Sequence, residues 1–244
     1  GGYIDNVAGT VTVADGAGFP NGANLAPITF IPADNGGKVE EDFNESTYSG
    51  SRLSALWEPN SDWSLLVAAS QQSIDSEGVF FQDPELDDLE IQRYEDNTHE
   101  DDFTNLNWTL EGRLGALDAI YTGAFTTRES NQRIDYVDYL YVSAYMPYYI
   151  CDSQVVYGSA VQTGGTCQAP YLFVDSFVET EVQTHELRFS TDPDSALRVT
   201  FGVFYSDLDL RERNDFTYLG SELLGAESFG PNFSAQGATV SDTG

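Results

Sequence analysis

The chain has 244 residues, 41% apolar and 13% aromatic, and its 40 acidic residues against 10 basic ones give a formal net charge of −30. This charge argues against binding to nucleic acid and against docking on anionic lipid, because both need exposed lysine and arginine. The aromatic content is too high for a disordered acidic chain, so part of the sequence must be buried. No run of about 18 apolar residues is present, which argues against a transmembrane helix.

Alternation of apolar and polar residues with a period of two predicts six β-strands. In the clearest of them, residues 103–114, the side chains of Leu106, Trp108 and Leu110 alternate with asparagine, threonine and glutamate. Successive side chains of a strand point to opposite faces, so each segment has one apolar face and one polar face. The predicted strands are residues 49–57, 63–72, 103–114, 117–127, 180–190 and 197–205.

The connections between these strands alternate between short turns and long links. Short turns are predicted at 58–62, near Gly115 and at 191–195, whereas 73–102 and 129–179 form long links. An acidic, glycine-rich stretch over 5–45 precedes the first strand, and a polar tail follows Asp207. Transmembrane barrels have short periplasmic turns and long extracellular loops, whereas soluble sandwiches have short loops at both ends.

The distribution of charge and tryptophan also favours a membrane. Acidic residues crowd the long links and are nearly absent from the apolar faces, which a lipid-facing surface requires. Trp57 and Trp63 flank the first short turn, where an aromatic girdle lies in membrane barrels. The sequence therefore predicts an all-β fold, an antiparallel transmembrane β-barrel segment of about six to seven strands. A soluble sheet with both tryptophans in its core is the alternative.

Several segments resemble TonB-dependent outer-membrane receptors. They are YSGSRLSALWEP (48–59) followed by DWSL (62–65), then GGYIDN (1–6) and THELRFS (184–190). The resemblance implies a receptor of the bacterial outer membrane that takes up a scarce nutrient, typically a ferric siderophore. It implies outer-membrane lipid and the TonB energy-transducing complex as partners, with no enzyme activity and no cofactor.

The chain differs from this family in the number of strands and domains that its sequence predicts. Six strands and a strand end at 1–4 fall short of the roughly 22 strands of such plugged transporter barrels. Neither a plug domain nor a terminal aromatic strand is apparent in the sequence. We therefore expect residues 1–244 to be part of a single receptor β-barrel domain, an internal fragment that forms an incomplete barrel.

The link 129–179 is the best candidate for a binding surface. Tyrosine offers a large rigid area with a polar tip, which suits capture of a sugar or an aromatic chelate. The alternative is that residues 136–142 prolong a strand above the membrane. The candidate ligand-binding residues are Tyr136, Tyr139, Tyr141, Tyr145, Tyr148 and Tyr149.

Two cysteines lie in the same link. Cys151 and Cys167 enclose a polar loop with three glycines, which predicts a disulfide in an oxidising compartment. Two unpaired thiols are the alternative. Too few soft ligands are near for a metal site.

The remaining polar clusters give weaker signals. The acidic segment 83–88 has oxygen ligands for Ca²⁺ but lacks the spacing of a calcium loop, so a solvated loop is favoured. His99 and His185 are isolated in the sequence, so we expect neither to be catalytic. The polar faces carry two charged pairs that face either a plug or a wet lumen. These residues are Glu111, Arg113, Glu186 and Arg188.

Two other functions remain open at this stage. A secreted, soluble β-rich carbohydrate-binding domain would use the tyrosine-rich link as its contact surface. A hydrolase with paired carboxylates is the third hypothesis, although no spacing marks such a pair among the abundant acidic residues.

Overall fold

A computed structural model describes residues 1–219, except positions 143, 145, 153, 157 and 193, together with residues 239–243. Its main feature is a sheet of six long strands, all predicted by the alternation. They are β1 (Ser46–Asn60), β2 (Trp63–Glu77), β3 (Thr98–Leu114), β4 (Leu117–Asp135), β5 (Leu172–Thr191) and β6 (Thr200–Tyr218).

The six strands form one open antiparallel sheet in which each pairs with its neighbours along the chain. A short seventh strand, β7 (Thr239–Thr243), pairs with the end of β6. The strand end expected at residues 1–4 is wrong, because the first strand of the chain is Asp5–Asn6 and pairs outside this sheet. The described strands therefore form an open sheet rather than a closed barrel.

The strands are longer than the alternation predicts at the end carrying the long links. Residues 73–77, 98–102, 129–135 and 172–179, predicted as links, and residues 208–218, predicted as a polar tail, all extend the sheet. In residues 73–77, 98–102 and 129–135 polar side chains predominate on both faces, so a period of two is not visible there. In β6 the alternation continues through Leu208 and Leu210 but switches faces, since Asp207 and Asp209 lie on the side of the apolar face. The last short turn is also longer than expected, because β6 begins at Thr200 rather than at residue 197. In this turn the Thr191 hydroxyl donates to the Leu197 carbonyl and accepts from the Val199 N–H.

One face of the sheet carries a continuous apolar surface, which we call the apolar face. Its central row crosses all six strands in register. This row consists of Trp57, Leu65, Leu110, Tyr121, Leu187 and Val203. On the outer strands its side chains are 64% (Trp57) and 70% (Val203) exposed, and none of the row belongs to the buried core. Among the described residues, no second layer buries this face.

Tryptophan packs on glycine at two places on the apolar face. A Cβ atom at Gly112 would lie 2.2 Å from the Trp63 ring, and one at Gly123 would lie 2.3 Å from the Trp108 ring. Both glycines pair directly with these tryptophans on the neighbouring strand. The large rings therefore lie flat against the sheet because the facing positions have no side chain.

The opposite face is more polar, although Leu56, Leu66 and Phe204 also lie on it. Its row at the level of Asn107 consists of Ser54, Ala68, Asn107, Ala124, Thr184 and Ser206. The charged pairs identified in the sequence also lie on this face, where Arg113 donates a hydrogen bond to Asp118 at 3.3 Å. The alternation along the strands thus produces one apolar face and one mainly polar face.

The long links are folded rather than structureless. We call residues 1–45, 78–97 and 136–171 the loop cap. It contains three two-stranded sheets, a 3₁₀ turn at Val13–Asp15 and two short helices, α1 (Tyr139–Val142) and α2 (Met146–Ile150). The small sheets pair Asp5–Asn6 with Glu90–Ile91, Thr10–Val11 with Ala33–Asp34, and Thr29–Phe30 with Thr166–Cys167.

The loop cap has its own hydrophobic core. The core is formed by apolar residues of all three links, together with the ends of β5 and β6. It comprises Val11, Val13, Ile28, Ala33, Tyr94, Val137, Leu140, Ile150, Cys151, Val155, Cys167, Leu172 and Tyr218. The main buried core of this molecule thus lies at one end of the sheet. No helix in the described part of the chain is both long and apolar enough to cross a membrane.

Candidate functional site

Buried polar side chains hold the links of the loop cap together. Asn6 accepts a hydrogen bond from the Arg93 backbone N–H at 2.7 Å and donates to the Arg93 carbonyl at 3.0 Å. Asp135, at the end of β4, accepts from the backbone N–H groups of Tyr94 (2.6 Å), Glu95 (3.0 Å) and Val137 (2.8 Å). These bonds replace regular secondary structure, and they join the N-terminal stretch and the link 78–97 to the end of the sheet.

A cavity of about 510 Å³ lies where the three links meet, which is within the usual size range of small-molecule sites. It is lined by Val11, residues 81–85 and 91–94, Val137, Asp138 and Tyr141. Each link contributes to the lining. The site therefore exists only in the folded cap, since its residues are up to 130 positions apart in the sequence.

Arg93 is the buried charged group of this cavity. Its side chain is only 4% exposed, and its Nη1 donates to the Asp138 carboxylate at 2.6 Å. The Phe81 ring lies over the guanidinium, with 5.0 Å from Cζ to the ring centroid. The Arg93 Nε–H is buried and has no hydrogen-bond partner within the described chain.

Two tyrosines beside Arg93 are held in their neutral form. Burial, followed by the nearby Tyr141, Asp135 and Asp138 side chains, raises the pKa of Tyr94 to about 12. Burial and the surrounding carboxylates of the cavity likewise raise the pKa of Tyr141. Both phenols therefore keep their protons at neutral pH.

The structure separates the tyrosines that the sequence grouped together. Tyr136 stacks on Tyr139 at 4.7 Å between ring centroids, and Tyr149 stacks on Tyr218 at 5.0 Å, so these side chains pack against the cap core. The candidate that lines the cavity is Tyr141.

The other tyrosine predictions have mixed outcomes. Tyr145 and the side chain of Tyr148 lie outside the described residues. The alternative that 136–142 prolong a strand is wrong, because β4 ends at Asp135 and Tyr139–Val142 form a helix.

The disulfide lies in the cap core. Cys151 and Cys167 are bonded to each other, and both are buried. The bond closes the loop that separates them and joins the end of α2 to the strand Thr166–Cys167. The disulfide therefore stabilises the link that also supplies Tyr141 to the cavity.

His99 has a partner that the sequence did not reveal. Its Nε2 lies 3.1 Å from the Ser130 hydroxyl, because the register of β3 and β4 pairs Ser130 with Asp101 and so places it diagonally opposite His99. The Asp101 carboxylate lies nearest the same ring nitrogen, at 3.7 Å, and accepts a hydrogen bond from Arg128 at 2.8 Å. A catalytic triad needs the carboxylate on the other ring nitrogen, so this cluster does not have triad geometry.

His185 is not isolated either. Its Nδ1 lies 2.8 Å from the Tyr121 hydroxyl, and its ring lies among Trp108, Tyr121 and Tyr205 on the apolar face. The imidazole can lie on this apolar face because its Nδ1 is hydrogen-bonded to the Tyr121 hydroxyl.

The acidic segment 83–88 forms a turn of its own. Asp83 accepts a hydrogen bond from the Glu85 backbone N–H at 2.9 Å, which is an Asx-type turn. Within the described ranges, no group of three or more His, Cys, Asp or Glu side chains is arranged to hold a metal ion. Asp83 and Glu85 instead line the cavity.

Arg93, Phe81 and Asp138 are the cavity residues that sequence reasoning missed. The one feature of the sequence that could have indicated this site is Arg93, the single arginine within the acidic link 78–97. No family model matches the chain, and neither a curated protein nor a solved structure matches it.

Proposed function

We propose that this chain is part of the barrel domain of a bacterial outer-membrane receptor, of the TonB-dependent kind, that takes up a scarce nutrient. The apolar face carries this proposal. It crosses six strands in register and has no protein layer over it among the described residues. Lipid hydrocarbon is the natural cover for such a face, since large exposed apolar surfaces are rare in water.

The border of the apolar face supports the same proposal. Three rows beyond the central row, on the side of the loop cap, the paired residues are polar, and in the fourth row most of them are charged. They include Asp102, Glu129, Glu179 and Arg211. From Leu106 to Leu114 the apolar face covers about 27 Å of strand at about 3.4 Å per residue. At a strand tilt of about 40°, this length spans about 21 Å along the membrane normal, close to the roughly 25 Å lipid-facing band of outer-membrane barrels.

The two ends of the sheet differ as they do in a receptor. One end has short turns, and the other carries the loop cap with its disulfide and cavity. In the proposed orientation the short turns face the periplasm and the loop cap faces the outside, where a nutrient arrives. The partners are outer-membrane lipid and, through a plug outside this chain, the TonB complex. A ferric siderophore is the ligand class that the resemblance predicts.

Fractionation of cells producing the full-length native protein tests this proposal. We expect it in the outer membrane, with heat-modifiable migration in detergent gels and nutrient uptake that is lost without TonB. Recovery from the soluble periplasmic fraction would reject it.

The soluble carbohydrate-binding domain is the second candidate, and the loop cap is the observation that favours it. The cap has its own core, disulfide and cavity, as an independent binding module has. This candidate predicts that residues 1–244 are produced as a soluble monomer with a cooperative unfolding transition. Aggregation in water with recovery in detergent would instead favour the receptor.

A further inference from the structure

The buried guanidinium of Arg93 lacks one acceptor. Its Nη1 is paired with Asp138, whereas its Nε–H has no partner in the described chain. Leaving a buried donor without a partner is costly, so such a group usually marks a missing water, ion or ligand. Arg93 lines the cavity, so a molecule bound there is a candidate for the missing acceptor.

The charges around the cavity limit the kind of molecule that it accepts. The carboxylates of Asp83, Glu85 and Asp138 line it, against the single guanidinium of Arg93. This excess of negative charge repels an anion. A cation forms ion pairs with the carboxylates, but it cannot accept a hydrogen bond from the Arg93 Nε–H. A hydroxyl group satisfies both needs, because it donates to a carboxylate and accepts from an N–H.

Two aromatic rings complete the cavity. Phe81 is 58% exposed and Tyr141 is 54% exposed, although both line it. Exposed rings beside carboxylates and a guanidinium offer flat apolar surfaces next to hydrogen-bonding groups. A sugar ring has the complementary surface, with C–H groups on its faces and hydroxyls on its edge.

We propose that this cavity binds a neutral saccharide. The proposal names the nutrient class of the receptor proposed above, and its role in uptake rests on that proposed function. The hydroxyls of the sugar hydrogen-bond to Asp83, Glu85, Asp138 and the Arg93 Nε–H, while its ring packs against Phe81 and Tyr141. A ferric chelate with net negative charge is disfavoured at this position.

Binding of the full-length protein, purified in detergent, to an array of neutral and acidic glycans tests the proposal. We expect at least one neutral glycan to bind and its acidic derivatives to bind more weakly. For the glycan that binds best, we expect Phe81→Ala and Tyr141→Ala each to weaken binding about fivefold or more, the range for losing one aromatic contact.

Neighbouring residues provide matched controls. Phe80 and Val142 are exposed, adjoin the two test positions and do not line the cavity. Phe80→Ala and Val142→Ala should therefore leave binding unchanged. Because the two test residues are also exposed, their variants should fold, which an unchanged heat-modifiable migration would verify.

Four results would overturn the saccharide proposal. They are no binding to any neutral glycan, stronger binding of acidic glycans, unchanged binding in both test variants, and binding of a ferric chelate that depends on Phe81 and Tyr141. The last result would leave the receptor proposal intact. Saccharide binding by a protein found only in the soluble fraction would support the site and reject the receptor.

Discussion

An arginine substituted at the centre of the apolar face tests whether this face contacts lipid or water. Leu110 lies in the central row and is flanked on paired strands by Leu65 and Tyr121. Thr109, its neighbour in sequence, points to the opposite face, where its paired neighbours are Leu66 and Thr122 and Glu111 follows two positions later on the same strand. Leu110→Arg and Thr109→Arg therefore place the same charge on opposite faces at the same depth.

The expected loss in the free energy of unfolding for Leu110→Arg follows from the position of Leu110 in the apolar face. It lies about 14 Å along the strand from both Leu106 and Leu114, at about 3.4 Å per residue. This is the middle of the proposed lipid-facing band, where an arginine costs about 2–4 kcal/mol. The Thr109→Arg side chain faces the polar side near a carboxylate, so its expected cost is below about 1 kcal/mol.

Refolding of the full-length protein into lipid vesicles, followed by urea titration, measures both free energies of unfolding. Heat-modifiable migration reports the folded fraction at each urea concentration. We expect Leu110→Arg to lower the free energy of unfolding by at least 1 kcal/mol more than Thr109→Arg does. Leu110→Ala serves as a control for lost side-chain volume without added charge.

Equal effects of the two arginine variants would refute the reasoning. An arginine on an exposed face in water usually changes stability by less than about 0.5 kcal/mol. If Leu110→Arg behaved in this way, the apolar face would contact water or a protein partner rather than hydrocarbon.

Three further predictions concern the loop cap. Replacing Cys151 and Cys167 together by alanine removes a cross-link over 16 positions, and we expect a loss of about 3 kcal/mol in unfolding of the cap, measured by native-state proteolysis. Asp135→Ala leaves three backbone amides, two buried and one partly buried, without an acceptor, so we expect a loss of about 3 kcal/mol and faster hydrogen exchange at these amides. Because the pKa of Tyr94 is raised to about 12, the unfolded chain loses this proton at lower pH than the folded one. Stability should therefore fall by about 2–3 kcal/mol between pH 10 and 12; a Tyr94→Phe variant that kept the full slope would contradict this.

The six strands of the large sheet were predictable because their pattern is local. In β3, Leu106, Trp108 and Leu110 alternate with polar residues, and this fixes both the strand and its apolar side. The strand ends near the loop cap were not predictable in the same way. There, as at Asp101 and Asp102 of β3, both faces carry polar side chains, so only pairing with the neighbouring strand defines the structure.

The candidate site was predictable only in part. The tyrosine-rich link indicated a binding region, and Tyr141 does line the cavity. Arg93 and Asp138 did not stand out, because they are 45 positions apart and belong to different links. Their pairing depends on the backbone bonds of Asn6 and Asp135, which no local pattern indicates.

By itself, the sequence determined the strands, the two contrasting faces of the sheet and the loop that the disulfide closes, since each depends on residue spacing along the chain. Only the tertiary structure decided that the long links fold into one cap, that His99 meets Ser130, and that the Arg93 Nε–H lies beside a cavity without a partner in the described chain. These features join residues that are distant in the sequence. Their positions depend on the register of the sheet and on the packing of a shared core, which side-chain periodicity does not encode.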